Sequence, residues 1–260
     1  MTTIAIANQK GGVGKTTTAV NMAAYLNAKG KKTLLIDADQ QANSTDTFRG
    51  AYEGQVTLYD CWLANPEDRE NINDCIQHTE IGDIIAGDPL LREAESKIAK
   101  DPITGLLSFK KILSDLKGYE YVIVDCGPTL SSILQSILVA SDEVIIPVTA
   151  DRYSLQGISQ IWETIQNVRD GMNSNLKIRG FLLVKYNTRT NLNKDIYSAL
   201  EDISKQLDTK IFKTYIREST KAREALAARQ ILLNYAPKST TAEDYEAFVN
   251  EYLGKKKGGR

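Results

Sequence analysis

Near its start the chain reads Lys10-Gly11-Gly12-Val13-Gly14-Lys15-Thr16. This spacing suits one chemistry, the cradling of an anionic polyphosphate. Such a ligand needs backbone N–H donors turned inward and a cation within reach. Gly11, Gly12 and Gly14 let the backbone curl tightly, because they tolerate positive φ and carry no Cβ. The N–H groups of the helix that follows then face the phosphates, helped by the helix dipole. Lys15 supplies a point charge and the Thr16 hydroxyl is placed to ligate Mg²⁺. The common loop pattern, G-x-x-x-x-G-K-[ST], is not fully met. Gln9 stands at the first glycine position, and a second lysine, Lys10, follows it.

Carboxylates occur where such a loop needs them. The apolar run Ile4-Ala5-Ile6-Ala7 precedes the loop, residues 16–29 have helical spacing and stop at Gly30, and Thr33-Leu34-Leu35-Ile36 ends in Asp37-Ala38-Asp39-Gln40-Gln41. That is a βαβ unit, which sets Asp37 and Asp39 beside the loop. Further on, Val122-Ile123-Val124 ends in Asp125. A carboxylate closing an apolar strand is costly to bury without a task. The task read here is a contact to Mg²⁺ through water.

These stretches resemble a known family. K-G-G-x-G-K-T-T with D-x-D-x-Q at the next strand end is similar to the deviant Walker A group, and most closely to the ParA-type (Soj/ParA) partition ATPases. Val122-Ile123-Val124-Asp125-Cys126-Gly127-Pro128 resembles the family's D-C-P-P Walker B segment. Asp142–Val148, Leu183–Asn191 and Lys213–Ile216 fit the same pattern, so the resemblance covers nearly the whole chain. It implies ATP and Mg²⁺ as cofactors, with ATP held by the loop from Lys10 to Thr17, Val13 included. It makes Lys10, Lys15 and Asp39 the catalytic set, with Asp39 positioning the attacking water. Asp37 then joins Thr16 and Asp125 near the metal. In the family Lys10 reaches the phosphates of the nucleotide held by the other subunit. Two ATP molecules thus bridge a homodimer, and Gly11 keeps the approach of the partner loop open. A lysine acting in trans follows the logic of an arginine finger. Base contacts are implied around Lys185, Asn187 and Arg217, where the chain departs from the pattern. Arg217 stands where the family has proline, and Arg223-Glu224-Ala225-Leu226 where it has S-E-A-P.

The elements that must position these residues follow from periodicity. Helical spacing is read at residues 57–63, 90–99, 105–117, 129–140, 153–170, 192–207, 221–228 and 240–253. Strands are read at 81–86, 121–124, 144–148, 178–186 and 210–212, several as continuous β-branched runs expected of strands buried on both faces. Residues 41–54 read as an ordered loop near the nucleotide, and 66–80 as charged and Asn-rich with little structure. Strands alternating with helices predict an α/β fold: one P-loop domain over residues 1–253, with a mostly parallel twisted sheet and helices on both faces. Ligands in such sheets bind at the carboxyl ends of the strands. Residues 254–260, Gly-Lys-Lys-Lys-Gly-Gly-Arg, form a basic tail expected to be disordered.

Composition narrows the class. The chain has 260 residues and net charge −1, so no global basic field advertises nucleic acid. Cys61, Cys75 and Cys126 lack C-x-x-C spacing and His78 is the single histidine, which argues against zinc. Scattered cysteines, no secretory signal pattern and no apolar run of about 20 residues predict a cytoplasmic protein. Charge is nevertheless polarised. Residues 177–229 hold 12 Lys or Arg against 6 Asp or Glu, a net of +6 that leaves −7 elsewhere. The resemblance places DNA contacts at Arg189 and Lys221, with Arg223 their neighbour, and such contacts go to phosphates and read no sequence. The expected function is a nucleoid-associated, ATP-dependent switch for DNA partitioning. Its partners would be nonspecific double-stranded DNA and a ParB-type centromere-binding protein that stimulates hydrolysis. Two alternatives share the loop. A MinD-like membrane ATPase needs a C-terminal amphipathic helix, whereas residues 243–253 carry an acidic face that anionic lipid repels. A small-molecule P-loop ligase is disfavoured by D-x-D-x-Q and the basic segment.

Overall fold

The computed structural model describes residues 1–65, 67–129, 131–151, 154–188 and 191–255. The described strands are β1 (Thr2–Ile6), β2 (Thr33–Ala38), β3 (Ile76–His78), β4 (Asp83–Ile85), β5 (Tyr121–Cys126), β6 (Glu143–Thr149), β7 (Lys177–Tyr186) and β8 (Ile216–Arg217). They form one sheet in the order β3-β4-β2-β5-β1-β6-β7-β8. Every neighbouring pair is parallel except β3 on β4. The β-branched runs explain this arrangement, because strands rich in Ile and Val on both faces need cover on both faces.

That cover comes from helices with apolar faces. One side of the sheet packs α3 (Leu58–Trp62), α4 (Ala94–Lys100), α5 (Pro102–Ser114), α6 (Ser132–Ala140), α7 (Ser154–Gly171) and α8 (Asn191–Gln206). The other side packs α1 (Lys15–Ala28), α9 (Thr220–Ala227), α10 (Leu232–Tyr235) and α11 (Thr240–Tyr252). The strands alternate between the two: Ala5, Val122 and Val124 point to the first core, and Ile4, Ile6 and Ile123 to the second. The α/β architecture, the mostly parallel sheet and the helices on both faces are as expected.

Several elements differ from the sequence reading. Residues 41–54 contain a short helix, α2 (Asn43–Thr47), in a segment too polar to show an apolar stripe. The Asn-rich stretch contains the edge strand β3, whose residues are at most half buried and so carry no alternation. Residues 210–212 make only an isolated bridge, Ile211 to Phe181, and the ladder resumes at β8. α5 starts at Pro102 itself, capped by Asp101, because proline fits the first helical position, where its missing N–H is not needed.

Candidate functional site

Gly14 caps α1 with φ 80° and Gly12 has φ 72°, left-handed values that favour glycine. A Cβ at Gly14 would also lie 3.7 Å from Val184 Cγ2. No side chain caps α1 and no acidic residue occupies its first turn, so its N–H groups stay open to an anion. Lys15 is buried, and its Nζ donates to the Lys10 carbonyl at 3.1 Å. Burial lowers its pKa, although Asp125, Cys126 and Asp39 pull it back up.

β2 and β5 pair so that Asp37 lies directly opposite Asp125 at the carboxyl ends of the strands. Both carboxylates are wholly buried, and burial raises both pKa values; Asp125 adds a repulsive push on Asp37. Asp37 Oδ2 accepts from Thr45 N and Thr45 Oγ1, each at 2.8 Å, and its Oδ1 accepts from Asp39 N at 3.1 Å. Asp125 Oδ2 accepts from Ser44 Oγ at 2.7 Å, and the nearby Thr16 hydroxyl favours the ionised form of this carboxylate. Asp125 Oδ1 is buried with no hydrogen-bond partner among the described residues. Asp39 is nearly buried, and its Oδ1 accepts from Gln41 N at 3.0 Å.

These residues fit Mg²⁺. A buried, unpaired carboxylate oxygen beside a threonine hydroxyl is the donor set a hard cation takes. Among the described residues no three His, Cys, Asp or Glu converge to hold a metal unaided. The remaining ligands must therefore be phosphate oxygens and water, as is usual for Mg²⁺.

A cavity of about 630 Å³ runs from the phosphate loop to the ends of β7 and β8. Gly11, Gly12, Lys15, Thr16, Thr17 and Asp39 line it together with Lys185, Arg217, Glu218 and Arg223. The loop and the implied base residues thus share one cavity, except that Asn187 is not part of its described lining. Arg217 forks onto Asp244, with Nε to Oδ2 at 2.9 Å and Nη2 to Oδ1 at 2.8 Å. Arg223, read as a neighbour of the DNA contacts, lies on the cavity wall instead. Val13 is buried beneath the loop.

Lys10 does not line this cavity. Its ammonium forms an ion pair with Asp151 just past β6 and lies 3.4 Å from Thr149 Oγ1. A Cβ at Gly11 would meet no described atom within 4 Å, and Gly11 has no left-handed φ. Lys221 is ion-paired with Glu224 at 2.7 Å and sits over the Tyr235 ring. Arg189 and residues 256–260 of the tail lie outside the described residues. No helix among the described residues is long and apolar enough to cross a membrane.

The sequence reading missed Ser44, Thr45 and Gly87. Gly87 N donates to Thr45 Oγ1 at 2.9 Å, and a Cβ there would lie 3.0 Å from Asp37 Cγ. The only signal was the run of small polar residues after D-x-D-x-Q.

A family model described as an AAA domain (AAA_31) matches residues 1–178. The chain is 36% identical over 253 residues to the sporulation initiation inhibitor protein Soj of Bacillus subtilis (strain 168), covering 95% of this chain and 96% of that one. It is 32% identical over 257 residues to the chromosome-partitioning ATPase Soj of Thermus thermophilus, covering 97% and 95%. Among solved structures, apo McdA from Cyanothece superposes with TM-score 0.85 at 25% identity, covering 98% of this chain and 100% of that one. Cobyrinic acid a,c-diamide synthase from Mycobacterium smegmatis, with bound ATP analog and magnesium, superposes with TM-score 0.84 at 26% identity, covering 100% and 97%.

Proposed function

The chain belongs to the ParA/Soj family of partition ATPases, and on that premise we propose that it is an ATP-driven switch that assembles on DNA. Gly12, Gly14, Lys15 and Thr16 would hold the phosphates of Mg²⁺-ATP in the cavity. Thr16 and, through water, Asp125 would hold the cation, which would supply charge neutralisation at the transferring group. Asp39 positions the attacking water. Asp37 holds the segment that carries Asp39, through Asp39 N and Thr45, and so contributes to the metal's surroundings from behind. Lys185 and Arg217 contribute to the cavity wall.

ATP binding joins two copies face to face. The observation that carries this is the pairing of Lys10 and Gly11. Lys10 has no place in its own subunit's cavity, and nothing among the described residues of the subunit requires glycine at position 11. A partner's loop supplies both reasons: its phosphates are the target for Lys10, and its close approach needs Gly11 bare. The dimer doubles the contacts that Lys221 and Arg189 offer, which bind duplex phosphates without reading sequence. A ParB-type partner stimulates hydrolysis and release, and the protein works in the cytoplasm on the nucleoid.

The test is size-exclusion chromatography with light scattering. With ATP and Mg²⁺ the hydrolysis-deficient Asp39→Ala protein should run as a dimer. Adding Gly11→Val or Lys10→Ala to it should leave monomers that still bind nucleotide. Undiminished dimerisation in both double variants would remove the cross-subunit role.

A further inference from the structure

β7 carries one residue more than its surroundings need. Its pairing with β8 slips between Val184 and Tyr186. Lys185, between them, has φ 53°, a left-handed value that strains a residue with a side chain. The packing marks the same extra residue. Leu182 and Val184 belong to the core under α1 and α11, whereas Leu183 and Tyr186 belong to the opposite core. Residues on one face of a strand are normally two apart; Leu183 and Tyr186 are three apart. A β-bulge of this kind re-aims a side chain, and bulges are common beside active sites. Here it swings Lys185 to the phosphate loop, where Nζ donates to the Gly12 carbonyl oxygen at 2.8 Å. Gly12 is itself left-handed, at φ 72°, so the lysine grips the loop at a residue whose backbone no side chain restrains.

We propose that Lys185 is a positioning residue that fixes the Gly12–Val13 peptide and thereby turns the Val13 N–H toward the phosphates. In a trans peptide the carbonyl and the following N–H point in opposite directions. Holding the Gly12 oxygen toward β7 therefore directs the Val13 N–H away from β7. The loop is thus set before nucleotide arrives, and the bound anion does not have to order it. A glycine at position 185 would relieve the backbone strain; the lysine is present for its side chain. This inference rests on reading the loop as a nucleotide site, and changes the role of Lys185 from base contact to loop clamp.

The experiment measures amide hydrogen exchange over residues 10–16 in nucleotide-free protein, alongside calorimetric binding of ATP and ADP with Mg²⁺. The variants are Lys185→Met, Lys185→Gly and Lys185→Arg. In the Met and Gly proteins the loop amides should exchange faster than in wild type. Both nucleotides should bind about tenfold to hundredfold more weakly, the range expected from losing one charge-assisted hydrogen bond. Lys185→Arg should restore both readouts, and Lys185→Gly should melt no lower than wild type, since glycine accepts the left-handed backbone. Unchanged loop exchange in the Met and Gly proteins overturns the proposal, even if nucleotide binds more weakly, because a bare charge effect would weaken binding without loosening the empty loop. The exchange arm uses no nucleotide, so its failure is separate from a failure of the nucleotide reading.

Discussion

Asp37 and Asp125 sit opposite each other on adjacent strands, both wholly buried. Their raised pKa values mean that the folded chain binds protons more tightly than the unfolded chain. Stability from this pair is therefore fully present in acid, below the ordinary carboxylate value of about 4, and is lost as pH rises through the raised folded values. A cation held by Asp125 would offset that repulsion, which is how a site can be costly when empty and tight when filled. Asp125→Asn should raise the melting temperature of nucleotide-free protein at neutral pH by about 2–4 °C, equivalent to ~1 kcal/mol for a domain of this size. It should also flatten the decline in stability with pH and abolish the Mg²⁺-dependent shift on adding ATP. Melting curves across pH, with and without Mg²⁺-ATP, give both answers; a lower apo melting temperature would mean that Asp125 stabilises the empty fold. Asp39 belongs to a different class. Its carboxylate accepts a hydrogen bond from Gln41 N within its own turn, so Asp39→Ala should keep fold and ATP affinity and lose hydrolysis by roughly 10²-fold or more. Single-turnover phosphate release decides that, and normal turnover would remove Asp39 from the mechanism.

At the scale of elements, α2 ties both carboxylates to one short segment. Ser44 reaches Asp125, Thr45 reaches Asp37, and the Thr45 hydroxyl in turn accepts from Gly87 N after β4. Thr45→Val keeps the shape and deletes two of these bonds, leaving a buried carboxylate and a buried N–H short of partners. The expected loss is about 1–3 kcal/mol of stability, read by urea unfolding, together with faster exchange of the amides at 39–47. A Thr45→Val protein as stable as wild type would show that water replaces the hydroxyl. This network was not legible in the sequence. Residues 43–47 are short and polar, so no apolar stripe distinguished helix from loop, and the need for glycine at Gly87 shows only in the carboxylate it packs against. The main strands and helices were legible, because Ile4-Ala5-Ile6 and Val122-Ile123-Val124 need cover on both faces, and glycine and proline mark the breaks. The loop chemistry was equally readable, since Gly14-Lys15-Thr16 has few other uses. The bulge at Lys185 was not, because an alternating strand with one extra residue looks like a regular one until its neighbours are known.

At the scale of the whole molecule, the proposed DNA binding has to come from a nearly neutral protein. The basic segment carries +6, but its residues are partly engaged: Lys221 with Glu224, Arg217 with Asp244, Arg229 with Asp46. Under the proposed function, DNA would have to compete for them. Lys221→Ala should weaken binding to any duplex alike and flatten the log–log salt slope by roughly 1.8, two phosphate contacts per dimer. Glu224→Gln should do the reverse, freeing Lys221 and tightening binding at low salt. A salt titration of duplex binding in ATP and in ADP tests both, and equal binding in the two nucleotides would defeat the switch. The sheet order bears on the protein's manufacture as well. β1 lies between β5 and β6, which begin only at Tyr121 and Glu143. At roughly 5–20 residues per second, a nascent β1 waits on the order of ten seconds for its neighbours. α11 comes later still, and its Tyr245 hydroxyl lies 3.2 Å from Thr18 Oγ1, in the helix that the phosphate loop opens. A chain still on the ribosome therefore carries its lysines without the strands and helix that seat them. Stalled or truncated products would lack a seated phosphate loop, and only finished copies would enter the pool that can bind ATP.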